Sequence, residues 1–470
     1  MRRSGVIFIR RDTKADPVYR FVLREYIGYL VEKRFALEWF IEGGRSRTGK
    51  LLPPRFGLLT YVVDAYREGR TDDVVLVPAS ITYDHLREVS EYAGEARGAE
   101  KKREDFRWYV RYMRSLRGRY GKIYVRFGEP VSLRDTLGPA TGQLDVPQDE
   151  HDSVLQKLAF EVCWRINRVT PITATSLITL TLLTAGQGLT FEQLRVALAE
   201  YLAFVDRRAL PTTDSTQRLA SPAGVRTALD ALTRQKVVEG LDGGPEPVYF
   251  VPPDQYLAAA FYRNSIAHFF LDPAITELAL VRASEPDVSD RVEEFWRAAL
   301  ELRDLLKFDF FFLEREEFRL AIGCHLAEID AEWQQKLAAG PEQLMGLLRH
   351  SHPLSAHTTL RSFCEAYYIV GRTLTWLGEG IPNERALLGR CEALGRQYLA
   401  QQRIRCPEAV SRLLFKTGLQ LAANRGLVSG PNAATARAEF VRSLRDLLRR
   451  MDTVEQIARE EFGALLGLRD

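Results

Sequence analysis

No long uncharged apolar run is present in this chain. A membrane-crossing helix needs about eighteen or more such residues, and Pro171–Leu189, the nearest approach, carries five threonines and a Gly-Gln-Gly. That stretch reads as a buried or interfacial helix. Ser4–Ile9 is too short for the apolar part of a secretory leader and runs into Arg10 and Arg11. Cysteine is sparse. The five residues at 163, 324, 364, 391 and 406 are odd in number and widely spaced, which argues against a disulfide framework and for reduced thiols in a cytoplasmic setting. No fixed-period repeat occurs, so solenoids and arrays are excluded.

What is present is ordinary globular composition, 46% apolar and 27% charged over 470 residues, enough for two or three domains with sizeable cores. The net charge of +3 conceals an asymmetry. Residues 1–130 hold 27 Lys/Arg against 18 Asp/Glu, and the remainder is acidic. A basic first part fits an anionic substrate or an anionic membrane surface.

Strand and helix signals alternate through the first 130 residues. Strands are expected at Val6–Ile9, Phe35–Ile41, Val74–Ile81 and Ile123–Phe127. Asp16 and Pro17 cap a helix to Lys33 with Val18, Phe21, Val22, Tyr26 and Leu30 as its apolar face. Phe56–Arg67 and Glu100–Arg119 read as further helices. The pattern is that of an α/β layer structure, whose ligands sit at the carboxyl ends of strands. Residues 131–150 read as a linker or wrapping loop. From 151 to 470 long helical patterns dominate, an all-α region of one or two subdomains. Within it, Thr190 and Gln193 form a capping box, and Val237–Val251 reads as a hairpin around Asp242-Gly243-Gly244.

The stretch Phe40–Lys50, FIEGGRSRTGK, carries the chemistry. Glycines let backbone N–H groups approach a ligand, and Arg45, Ser46, Arg47 and Thr48 supply closely spaced donors to an oxyanion. Gly44–Leu51 also matches a P-loop except at its last place, where Leu51 stands instead of a magnesium-binding hydroxyl. Pro53 and Pro54 then interrupt the helix that a P-loop needs. A P-loop NTPase is therefore the alternative reading.

FIEGGRSRTGKLLPP resembles the third conserved block of the glycerol-3-phosphate acyltransferases. Gly5–Arg11 (GVIFIRR) resembles their second block, and Val77–Tyr83 (VPASITY) with Glu91–Lys102 their fourth block and its sequel. The likeness continues through Ile166–Leu183, Tyr262–His268 (YRNSIAH) and Phe308–Arg315 (FDFFFLER). It implies an α/β acyltransferase domain, N-terminally incomplete, followed by a large helical region. It also implies transfer of an acyl group from acyl-CoA or acyl carrier protein to glycerol 3-phosphate, at the cytoplasmic face of an anionic membrane, with no metal or organic cofactor. By that resemblance Arg10, with Arg11 as second choice, binds the acceptor phosphate together with Glu42, Gly43, Arg45, Ser46 and Arg47. Pro78 shapes the acyl-donor side. Ser80 and Asp84 depart from the family pattern, which commonly has an aromatic and Glu there.

The family's first block, H-x-x-x-x-D, supplies the base that deprotonates the attacking hydroxyl. Only Met1–Ser4 precede Gly5, so no catalytic residue is assigned in this chain. Either the recorded start is an internal methionine of a longer protein, which is the favoured expectation, or the chain is a phosphate-binding scaffold that does not catalyse. His325 and Asp330 have the block's spacing but lie on a predicted helix, where positions five apart diverge. His350, His352 and His357 make a weak zinc candidate. Thr190–Val251 could be a winged-helix DNA binder, but seven basic against eight acidic residues give no positive footprint, and no nucleic-acid partner is expected. Phe308–Phe312 reads as core, with membrane contact the lesser alternative.

Overall fold

The computed structural model describes residues 5–10, 16–44, 46–85, 121–142, 148–378, 383–429 and 432–465. The chain divides into two compact units. One comprises Met1–Arg45, Leu52–Ser80 and Arg126–Val169, and the other Ser46–Leu51, Ile81–Val125 and Thr170–Asp470.

In the first unit, helix α1 (Pro17–Glu32) begins where Asp16 accepts a hydrogen bond from the Tyr19 N–H, with Pro17 in the first turn. It packs on α2 (Gly57–Arg67) through Leu23, Ile27, Leu30 and Val31 against Leu59, Val62, Val63 and Tyr66. The expected face of α1 is only partly right. Leu30 is buried, but Val18, Phe21, Val22 and Tyr26 face outward. The helix is apolar on two sides, so periodicity alone could not choose between them.

The sheet is smaller than the alternation suggested. Strand β1 (Val75–Leu76) pairs antiparallel with β4 (Val131–Ser132), and β2 (Ala79–Tyr83) pairs with β3 (Ile123–Phe127). The single strand expected over Val74–Ile81 is thus broken at Val77-Pro78, because proline has no N–H for the ladder. The Pro78 carbonyl instead accepts from the Gly128 N–H at 2.8 Å. Val6–Ile9 and Phe35–Ile41 form no ladder among the described residues. An apolar extended run becomes a strand only when another strand satisfies its backbone, and here Phe8 and Phe40 stay exposed. The wrapping segment carries β4 and a short helix, Leu133–Leu137, capped by Ser132. Helix α3 (Gln148–Val169) follows. The helix expected at Glu100–Arg119 lies outside the described residues.

The second unit is helical, with two apolar cores. The first gathers Ile172 to Phe270 and the second Ala267 to Ile457. Helix α4 (Ala174–Ala185) shows how the threonine-rich run is buried. Thr179, Thr181 and Thr184 each donate a hydroxyl to the carbonyl four residues earlier, at 2.8–2.9 Å, so no polar atom of these side chains is left unsatisfied. Among the described residues no helix is long and apolar enough to cross a membrane.

Helix α5 (Phe191–Arg207) opens on the predicted Thr190–Gln193 capping box. The predicted hairpin is present as β6 (Glu239–Leu241) and β7 (Val248–Phe250). Leu189–Thr190, β5, adds a third strand in the order β5-β7-β6, so this region is helix-dominated rather than all-α. Two helices expected at Ala433–Met451 and Thr453–Leu466 are one, α14 (Ala433–Leu465), counting α6 (Pro222–Arg234), α7 (Tyr256–Asn264), α8 (Leu271–Ser284), α9 (Arg291–Leu306), α10 (Arg315–Ile329), α11 (Arg361–Leu377), α12 (Glu384–Ala400) and α13 (Arg412–Asn424) before it. No Gly or Pro stands at Asp452-Thr453 to end a helix there. All five cysteines are free thiols.

Candidate functional site

The third-block loop is shared by the two units, its front half in the first and its back half in the second. In the front half, Glu42 closes the base of the loop. Its carboxylate accepts the Leu52 N–H at 2.8 Å, and the Arg55 N–H donates to the Ile41 carbonyl at 2.7 Å. Gly43 sits at φ +66°, in the left-handed region that favours glycine. Behind it, burial pushes the Cys163 thiol up to about 12, and the Glu42 carboxylate adds to the shift. Such a thiol is inert as a nucleophile. Arg45 lies outside the described residues, as does Arg11.

In the back half, Ser46 Oγ donates to the Lys50 carbonyl at 2.6 Å and lies 3.5 Å from Thr48 Oγ1, so this hydroxyl holds the loop's own turn. Arg47 is exposed. The Thr48 carbonyl accepts from Asn264 Nδ2 at 2.8 Å. Gly49 has φ +83°, and a Cβ placed there would lie 1.9 Å from the Phe261 carbonyl oxygen. Only glycine fits this approach of loop to helix.

Lys50 ends the loop inside the core, 6% exposed. Its ammonium donates to the Asp309 carbonyl and lies 3.1 Å from Asp309 Oδ1. The rings of Phe310 and Phe363 lie 5.0 and 5.7 Å from Nζ. The Tyr367 hydroxyl donates to Asp309 Oδ2. Burial, followed by the Asp309 carboxylate, holds the Tyr367 phenol far above its ordinary range, so it remains a donor. Lys50 is therefore a buried anchor and cannot reach a nucleotide phosphate, which removes the central group of the P-loop reading. Asn264, Asp309 and Tyr367 went unrecognised in the sequence. The available signal was that YRNSIAH and FDFFFLER share the family likeness, and both meet this loop.

The other assigned residues stand in the first unit. The Arg10 guanidinium is exposed, 3.3 Å from Asp16 Oδ2 and 5.0 Å from the Tyr19 ring, while its N–H donates to the Tyr19 hydroxyl. Pro78 is buried at the break between β1 and β2. At the end of the fourth block, Asp84 accepts from Ser215 Oγ at 3.0 Å and the Lys122 N–H at 3.1 Å, a structural bracket within the second unit.

The minor candidates disperse. His325 is buried 3.9 Å from Glu328, and burial lowers its pKa, whereas Asp330 pairs with Lys336. His350 contacts the Gly346 carbonyl, His352 lies near Glu200, and His357 contacts the Thr184 carbonyl. Phe310 and Phe312 are buried, as the core reading expects.

Comparison with known proteins gives the class, an acyltransferase. Residues 1–82 match the acyltransferase family model, and residues 92–431 match the model of the glycerol-3-phosphate acyltransferase C-terminal region. The chain is 38% identical over 468 residues to the putative acyltransferase plsB1 of Mycobacterium bovis, and equally to that of Mycobacterium tuberculosis. The match covers 98% of this chain and 74% of each relative. The chain belongs to the glycerol-3-phosphate acyltransferase family.

Proposed function

We propose that this protein takes part in acyl transfer from acyl-CoA or acyl carrier protein to the 1-hydroxyl of glycerol 3-phosphate, giving lysophosphatidic acid. The observation that carries the reading is the third-block loop, whose back half is fixed by Lys50, Gly49 and Asn264 while Arg47 is left at the surface. A preorganised loop presents a guanidinium to phosphate without first paying to order itself. Arg10, Arg11, Arg45 and Arg47 would neutralise the acceptor phosphate, and Glu42, Gly43 and Ser46 would hold the loop's shape around it.

In the reaction the 1-hydroxyl oxygen bonds to the thioester carbonyl carbon, and the C–S bond breaks. The hydroxyl proton passes through a base to the leaving thiolate. By the family resemblance, that base would be the His of a His-Asp block. Work at an anionic membrane surface accords with the basic first 130 residues.

The test is acyltransferase activity with glycerol 3-phosphate and acyl-CoA, on this chain and on a version extended through the upstream reading frame. Turnover in the extended form is expected. Acceptor binding with no turnover in either form would replace the enzyme by a binding scaffold, and absence of both would reject the reading.

A further inference from the structure

Arg47 is exposed, but the backbone on either side of it is held within the second unit. Ser46, before it, donates its hydroxyl to the Lys50 carbonyl at 2.6 Å. Thr48, after it, has its carbonyl held by Asn264 Nδ2 at 2.8 Å. That second contact comes from the last residue of α7, 216 positions further along the chain. Phe261 lies one turn earlier on the same helix, and its carbonyl is the group against which Gly49 packs. Residues three apart on a helix share a face. The end of α7 is thus a template for the two residues that follow Arg47.

Asn264 is buried, and its amide can stand only one way round. The Arg263 Nε–H and Nη2–H groups both donate to its Oδ1, at 3.2 and 2.8 Å. Arginine has donors and no acceptor, so the oxygen end of the amide faces Arg263 and the nitrogen end faces the loop. Arg263 is 1% exposed, and its Nη2 also donates to Glu408 Oε1 at 2.9 Å. Exchanging a buried ion pair of this kind for apolar side chains is often neutral for stability. What the pair supplies here is direction, since it turns the Asn264 donor toward Thr48.

We propose that Asn264, oriented by Arg263, is a positioning residue for the acceptor site, and that by holding the Thr48 carbonyl it fixes where the Arg47 guanidinium stands. It acts through Arg47 and makes no contact of its own with the acceptor. The phosphate it serves is that of glycerol 3-phosphate, so the proposal rests on the acyl-transfer reading above. A guanidinium whose backbone is fixed before binding loses less freedom when it meets a phosphate. The expected effect of Asn264 is therefore on acceptor affinity.

Two measurements on the full chain test it, each made well below the melting temperature of the variant. The first needs no ligand. Trypsin cuts after arginine, and a Thr48 carbonyl that is no longer held opens the Arg47–Thr48 bond to it. Asn264→Asp keeps the acceptor for Arg263 and loses the donor to Thr48, so cleavage there should quicken about fivefold or more. Arg47→Ala identifies the fragment by abolishing it. The second is calorimetric titration with glycerol 3-phosphate. Arg47→Ala should weaken binding roughly tenfold or more, Asn264→Asp about fivefold, and the double variant no more than Arg47→Ala alone. The neutral Asn264→Ala should match Asn264→Asp in both measurements. Unchanged cleavage in Asn264→Asp overturns the proposal, and so does a further loss of binding of about fivefold when Asn264→Asp is added to Arg47→Ala. Weakening by Asn264→Asp without weakening by Asn264→Ala marks charge repulsion and also overturns it. If glycerol 3-phosphate binds and neither Asn264 variant weakens it, the acyl-transfer reading stands without this residue. If cleavage quickens as expected and glycerol 3-phosphate does not bind the unsubstituted chain, the hold on Arg47 stands and the acceptor assignment falls.

Discussion

The two units carry opposite exceptions to the usual rule of which residues go inside. In the first, large apolar side chains such as Phe8, Phe21, Phe40 and Phe127 are exposed. In the second, ionisable ones are sealed in. Lys50 meets Asp309, Arg263 meets Glu408, and Glu277 and Glu365 are buried accepting backbone N–H groups. Hydrophobicity alone therefore fails to say where a residue lies. What decides is whether a buried ionisable group finds partners, and in the second unit each of these does.

The sharpest way to break that contrast is to remove one partner. Lys50→Met leaves Asp309 buried without its counter-charge and should cost about 3–5 kcal/mol in urea unfolding. Pairing it with Asp309→Leu should recover much of the loss, because two apolar groups are cheaper inside than one lone carboxylate. A single-variant cost below about 1 kcal/mol would mean that the pair is not load-sharing as described.

Glu277 offers a second, intermediate test. It accepts from the Ser355 and Ala356 N–H groups, and burial pushes its carboxyl up to about 8 from an ordinary value of 4.5. The folded value lies above the unfolded one. As pH rises from about 4.5 the unfolded chain releases this proton first, so stability falls until about pH 8, where the folded form ionises too. Urea midpoints should decline over that window, and Glu277→Gln should flatten the decline. An equal slope in the variant would refute the assignment.

The smallest effect is expected in the first unit. Phe21 is 61% exposed, so Phe21→Ser should change stability by no more than about 0.5 kcal/mol. A loss of several kcal/mol would show that its outward face is covered in solution.

Local features were legible where the physics is local. Asp16-Pro17 marked the start of α1, Thr190 and Gln193 the start of α5, and the Asp242-Gly243-Gly244 turn its hairpin. The motif order pointed to the family. What the sequence hid was pairing over distance. Lys50 looks like a phosphate ligand because its neighbours are glycine, arginine and hydroxyl residues, and nothing near it announces Asp309. Phe35–Ile41 has strand composition, yet composition does not supply the partner strand. Leu189–Thr190 is too short to show any alternation, so the third strand of its sheet could not be read.

The pairing of Lys50 with Asp309 also sets an order of events during synthesis. The two residues are 259 positions apart. At roughly 5–20 residues per second, the third-block loop leaves the ribosome some 13–50 s before its anchor is made. Throughout that interval the Lys50 ammonium of the nascent chain has no interior to enter. The completed loop is thus a late product of translation, finished only when the helical unit folds around a lysine made long before it.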